Sequence, residues 1–162
     1  MKSTLKAATL VAALTFGSQA FAANIVETAN SAGTFKTLLA AAKAAGLADV
    51  LATKGHLTVF APTDAAFAAL PPGTVESLLL PQNKDKLAAI LSYHVVGRVI
   101  PASKTPTERT HVRTLKASGD RSVAVRRQGG GVTVDNARVI QADIRADNGI
   151  IHVIDKVLIP SF

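Results

Sequence analysis

No cysteine occurs anywhere in the 162-residue chain, and tryptophan is absent as well. A thiol nucleophile, a thiolate metal site and a disulfide staple are thereby excluded, so core packing alone must hold the protein together. Aromatic residues are scarce, with six Phe and a single Tyr. Acidic residues are few too, 11 against 18 Lys and Arg, which gives a formal charge of +7. After the first two dozen residues no apolar run reaches the ~20 residues that a membrane-spanning helix needs.

What is present begins with an export leader. Lys2 and Lys6 supply a positive start, Ala7–Phe16 is apolar, and Gly17-Ser18 break the run. Ala20-Phe21-Ala22 fits the small-x-small pattern, so cleavage is expected between Ala22 and Ala23. Loss of Lys2 and Lys6 lowers the charge from +7 to +5. Residues 23–162 remain, enough for the core of one ordinary domain. The positive excess is uneven. Arg98, Lys104, Arg109, Arg113, Lys116, Arg121, Arg126 and Arg127 face only Glu108 and Asp120 in the same stretch. Outside the cytoplasm this suggests an anionic glycan, lipopolysaccharide or an acidic protein surface as partner. The alternative is a solvated face on a basic protein.

The pattern changes once along the chain. Ile25-Val26 open a short helix, Asn30–Gly33 break it, and Phe35, Leu38, Leu39 and Ala42 recur at helical spacing with Thr34 as cap. Thr58–Phe60 reads as a buried strand that Ala61-Pro62 ends. Thr63 or Asp64 then caps a helix whose inner face carries Phe67 and Leu70. Helices over Val75–Leu80 and Gln82–Ser92 follow, and Tyr93–Ile100 turns β-branched. Beyond Ala102 short strands are expected at Arg113–Lys116, Ser122–Arg126, Val132–Val134, Val139–Ile144 and Ile150–Ile159. Gln128–Gly131 and Asp147-Asn148-Gly149 supply hairpin turns. Leading helices followed by an antiparallel half predict an α+β fold, with helices packed to one side of a sheet or sandwich.

Three segments in order, TVFAPTDAAFAAL at Thr58–Leu70, LSYHVV at Leu91–Val96 and NGIIHVIDKVLIP at Asn148–Pro160, resemble the signature segments of a fasciclin domain. The likeness covers nearly all of Asn24–Pro160. The resemblance implies a wedge-shaped β-sandwich with a cluster of helices along one edge. It also implies a role in adhesion or partner binding at cell surfaces or in extracellular matrix, as for single-domain secreted bacterial members. In related domains the Tyr-His pair, here Tyr93-His94, is discussed both as an adhesion determinant and as part of the core. Here Val95-Val96 follow at once, which favours the core, and Asp64 is the expected hydrogen-bond partner of His94. Asp64 itself is read as a helix cap, with a partner-binding carboxylate as the alternative. His152 alternates with Ile150 and Ile154, so it and Asp155 are expected to be structural.

Catalysis finds no support in the residues. There is no Gly-x-Ser-x-Gly turn, and none of His56, His94, His111 and His152 stand at the i, i+4 spacing of a zinc hydrolase. Gly129-Gly130-Gly131 precedes no helix, so it is no phosphate loop. The basic stretch lacks interleaved aromatics for base stacking, which argues against specific nucleic-acid binding. The expectation is therefore an exported, periplasmic or secreted, non-catalytic binding protein without cofactor or metal, monomeric or weakly oligomeric. Its partner would be a cell-surface protein or an anionic polysaccharide. A polyanion-binding module using Arg109, Arg113, Lys116, Arg121, Arg126 and Arg127 is the second reading. A periplasmic small-ligand carrier, which would need a concave apolar pocket, is the third.

Overall fold

A computed structural model describes residues 23–117 and 119–160. The expected leader and its cleavage site lie outside the described residues. Among the described residues six α-helices and seven strands, with short 3-10 turns at Pro81–Asn83 and Ala102–Lys104, begin in the order α1 (Ile25–Ala32), α2 (Lys36–Ala44), α3 (Ala48–Thr53), β1 (Leu57–Pro62), α4 (Asp64–Ala68), α5 (Thr74–Leu78), α6 (Lys84–Tyr93) and β2 (Val95–Val96). The chain then runs through β3 (Thr110–Arg113), β4 (Ser122–Gln128), β5 (Gly131–Val134), β6 (Ala137–Ala146) and β7 (Gly149–Ile154). The α+β expectation holds, with the helices in the first half and an antiparallel meander from β3 to β7.

The strands form one sheet in the order β2-β1-β7-β6-β5-β4-β3. Its ends meet. Val96 bridges to Thr114, and the Leu115 N–H donates to the Val95 carbonyl at 2.8 Å. The sheet is thus curled nearly into a barrel. Next to β2, β1 and β7 run parallel, Leu57 opposite Gly149 through Pro62 opposite Ile154, and every residue of both strands is buried. Burial on two faces follows from the alternation of side chains. Val59, Ala61, Ile151 and Val153 meet the helices, where Phe35, Leu38, Ala42, Phe67 and Leu91 complete one core. Phe60 and Ile154 point the other way, into the curl, and join Tyr93, Val112, Val123, Val125 and Val134 in a second.

Several boundaries differ from the sequence reading. β1 continues through Ala61 and Pro62, which pair with Val153 and Ile154. Proline is tolerated there because nitrogens two residues apart point to the same side of a strand. The Phe60 N–H reaches the His94 carbonyl on the β2 side, and beside Pro62 that side carries no strand. The strand expected over Tyr93–Ile100 shrinks to Val95–Val96. Beyond it the chain is drawn off by Thr58, whose hydroxyl donates to the Arg98 carbonyl at 2.6 Å and accepts from the Ile100 N–H at 2.8 Å. The strand expected at Arg113–Lys116 lies three residues earlier, and β7 stops at Ile154. No helix among the described residues is long and apolar enough to cross a membrane.

Candidate functional site

Tyr93 and His94 stand where α6 hands over to β2, and their side chains go to the two different cores. His94 is 1 % exposed. Its Nδ1 lies 2.6 Å from the Ile90 carbonyl, and its Nε2 accepts the Leu158 N–H at 2.9 Å. An amide can only donate, so Nε2 carries no proton and the ring is the neutral Nδ1–H tautomer. Burial pushes the imidazole down to about 4 from its ordinary 6.5, only partly opposed by the Ile90 carbonyl and the Asp135 charge. His94 is therefore a clamp. It ties the helix that precedes it to the segment that leaves β7.

Tyr93, buried in the curl, sets its hydroxyl 2.8 Å from Asp135 Oδ2 and 3.0 Å from the Ser122 carbonyl. Burial first, then the Asp135 carboxylate, push the phenol well above its ordinary value. Asp135 itself takes a positive φ of 50° at the β5–β6 turn, tolerable for a short polar side chain. Its Oδ1 accepts the Ala124 N–H at 2.8 Å. Lys116, expected on the basic surface, is instead buried with its ammonium 6.0 Å from the Tyr93 ring centroid. It is unavailable to a polyanion.

Asp64 does not reach His94, whose two ring nitrogens are both taken by backbone groups. It is a cap, but of a distant helix. Its Oδ1 accepts the Thr37 N–H in the first turn of α2 at 2.8 Å, while its own N–H donates to Thr34. Burial raises this carboxyl, but the hydrogen bonds at Thr37 and Lys36 outweigh it, and the net displacement is downward. The local cap of α4 is Thr63, which accepts the Ala66 N–H at 3.1 Å, and Thr34 caps nothing with its side chain.

The third signature segment is also internal. His152 is buried, stacked on Phe60 with centroids 5.7 Å apart, with Nε2 2.7 Å from the Ile100 carbonyl and Nδ1 accepting the Asp143 N–H at 3.2 Å. Asp155 Oδ1 accepts the Arg138 N–H at 2.8 Å. Asn148 is more than a turn residue. Its Oδ1 accepts the Ile25 N–H at 2.9 Å, and its Nδ2 donates to Leu51 at 2.6 Å and Lys54 at 3.0 Å. One side chain thus joins α1, α3 and the approach to β1. Gly149 beside it has no positive φ, so turn geometry does not demand glycine. Close packing does: a Cβ there would overlap the Leu57 carbonyl. The Asn-Gly pair was visible in the sequence, but partners 94 to 123 residues away were not.

The basic residues divide. Thr133 pairs with Arg126 on one side and Arg138 on the other, while His111 and Arg113 pair with Ala124 and Ser122. Side chains of cross-strand partners share a face. Arg113, Arg126 and Arg138 therefore stand on the outward face of β3–β6, and Arg109 continues the β3 alternation beside Arg126. Arg138 was missed because it lies outside the basic stretch. Arg127 donates from a terminal guanidinium nitrogen to the Ser103 carbonyl at 3.2 Å and Arg121 likewise to Ala117 at 3.2 Å, whereas Arg126 donates to the Thr107 carbonyl at 3.3 Å through Nε, with no bond to its terminal nitrogens among the described residues. No carboxylate pairs with these arginines among the described residues. The apolar cavity between the helices and β1, lined by Ile25, Leu38, Leu51, Leu91, His94 and Ile151 among others, holds about 30 Å³. That is room for roughly one water, against the ~300 Å³ at which ligand pockets begin.

Comparison with known proteins agrees with this geometry. The fasciclin-domain profile matches residues 33–160. Protein sll1483 of Synechocystis is 51% identical over 139 residues, covering 86% of this chain and 74% of that protein. The transforming growth factor-beta-induced protein ig-h3 of Sus scrofa is 40% identical over 126 residues, 78% of this chain but only 18% of its own length. The immunogenic protein MPB70 of Mycobacterium bovis is 40% identical over 115 residues, 70% of this chain and 54% of that protein. Among solved structures, a FAS1 domain pair from the insect cell adhesion molecule fasciclin I superposes with a TM-score of 0.73. It shares 19% identity and covers 84% of this chain and 50% of that one. The chain belongs to the fasciclin-domain family.

Proposed function

We propose that this protein is an exported, non-catalytic binding domain of the adhesion type, working at the cell surface or in extracellular matrix once residues 1–22 are removed. One observation carries the reading. Tyr93, His94, His152 and Asp64, four of the polar side chains in the signature segments, are each engaged by internal hydrogen bonds. Function is left to the surface. The insect cell adhesion molecule among the structural neighbours supports the same reading by analogy. The test is binding of labelled 23–162 to intact cells of the producing bacterium and to their matrix. Saturable retention is expected, and its absence from both would refute the proposal. The outward arginines favour a polyanion as partner over an apolar protein surface.

A further inference from the structure

Where the curled sheet closes on itself, the outer side of the seam is a groove of about 510 Å³. Its walls are Arg98, beyond the end of β2, and His111 and Arg113 of β3; its floor includes Val96, Gly97 and Thr114. Gly97 lies in the floor with no side chain of its own. A Cβ there would come within 3.3 Å of Leu115 Cδ2. Arg98, His111 and Arg113 are all exposed, and no carboxylate answers them among the described residues. Asp120, one of the two acids in this region, accepts the Ser122 N–H at 3.4 Å.

From the groove the positive charge continues along a track. Arg113, His111 and Arg109 follow one another at alternate positions of the β3 segment, about 14 Å from first to last at ~3.4 Å per residue. Beside Arg109 the track turns across the sheet through Arg126 and, by the pairing of Thr133 with both, to Arg138. That adds about 14 Å, three steps at ~4.8 Å per strand. Like charges brought together without counterions repel, and a linear anion lying along them relieves that repulsion and releases bound counterions. No Phe, Tyr or Trp lines the groove and the His111 imidazole is the one ring there, so successive bases have no stacking platform and a nucleic acid would be held mainly through its phosphates.

We propose that the seam groove binds the acidic groups of a linear anionic polysaccharide, with Arg98 and Arg113 gripping a sulfate or carboxylate and Arg109, Arg126 and Arg138 receiving the polymer beyond it. This rests on the binding-domain reading above and gives it a site and a ligand class. The test compares wild-type 23–162, Arg98→Gln/Arg113→Gln, and the control Lys36→Gln/Lys86→Gln, which removes equal charge from exposed positions on α2 and α6. Each is titrated against heparin, which carries sulfate and carboxylate, and polygalacturonate, which carries carboxylate alone, across a salt series. The groove variant is expected to bind about tenfold more weakly, with a log–log salt slope shallower by about two, while the control matches wild type. Retention on heparin alone assigns the groove to sulfate, and equal retention on both assigns it to carboxylate. Equal weakening of groove and control variants would overturn the proposal in favour of diffuse charge, with the binding-domain reading intact. Failure of the wild type to bind either polymer would also overturn it, and saturable binding to cells would then still separate that loss from failure of the binding-domain reading.

Discussion

Acidification should loosen this fold through one side chain. In the native state His94 is neutral and fully enclosed, with its lone pair committed to the Leu158 N–H. Protonating Nε2 would set a donor against a donor and place a charge in an apolar surround. The folded value of about 4 lies below the ordinary 6.5, so between these two pH values the unfolded chain binds the proton more readily. Stability from His94 is therefore whole above about pH 6.5 and is lost as the pH falls towards 4. The interval of roughly 2.5 units corresponds to about 3 kcal/mol at 1.36 kcal/mol per unit, a large share of an ordinary domain's 5–15 kcal/mol. The assay is urea unfolding of residues 23–162 at steps from pH 7.5 to 4, beside His94→Gln. The variant keeps an acceptor towards Leu158 but cannot titrate. Wild type should lose about 3 kcal/mol more than the variant across the window, with the variant the less stable of the two at neutral pH. Parallel pH profiles for the two proteins would refute the reasoning.

Tyr93 is the sole tyrosine and tryptophan is absent, so phenolate absorbance reports this one ring. Its value is raised on folding, so stability is present below pH ~10 and lost as the pH rises beyond it. Phenolate should appear only with unfolding; an ordinary titration in the native state would contradict the Asp135 and Ser122 contacts. Asn148→Asp replaces the donor facing Leu51 and Lys54 with a carboxylate, and should cost about 3 kcal/mol or more in urea unfolding. Asp64→Ala removes the cap of α2 and should cost ~1 kcal/mol, with fraying of that helix seen as faster amide exchange at Thr37. Phe60→Ala and Phe67→Ala, one in each core, should each cost ~3–5 kcal/mol; near-wild-type melting of either would mean that these rings do not fill the interior as described.

The parts of this fold legible in the sequence were those fixed by neighbours within a few residues. Thr63 caps α4 three residues on, and Gly129 and Gly130 take the positive φ of the β4–β5 hairpin, 59° and 81°. α6, expected over Gln82–Ser92, spans Lys84–Tyr93. What escaped were the long reaches of side chains. Asp64 sits at the start of one helix and caps another, because the chain between Thr37 and Asp64 folds back on itself. Lys116 looks like surface from its charge alone, and only the closed sheet shows that it is buried with its ammonium over the Tyr93 ring. Val95–Ile100 has the β-branched composition of a long strand, yet Thr58 takes its carbonyl and amide groups as a side-chain bracket would, and only two residues pair. The seam groove joins Arg98 to Arg113 across strands that sequence order places apart.

The closure of the sheet also governs how such a domain behaves in a crowd. A surface or matrix protein is held at high local concentration, where an open strand edge would recruit the same edge of the next molecule and grow into irreversible cross-β stacks. Here one terminal strand has two residues and the other four, and Val96 and Thr114 pair them with each other. The backbone has little left to offer a neighbour. An edge this short leaves few backbone groups for another strand to pair with, which favours contacts between copies through side chains.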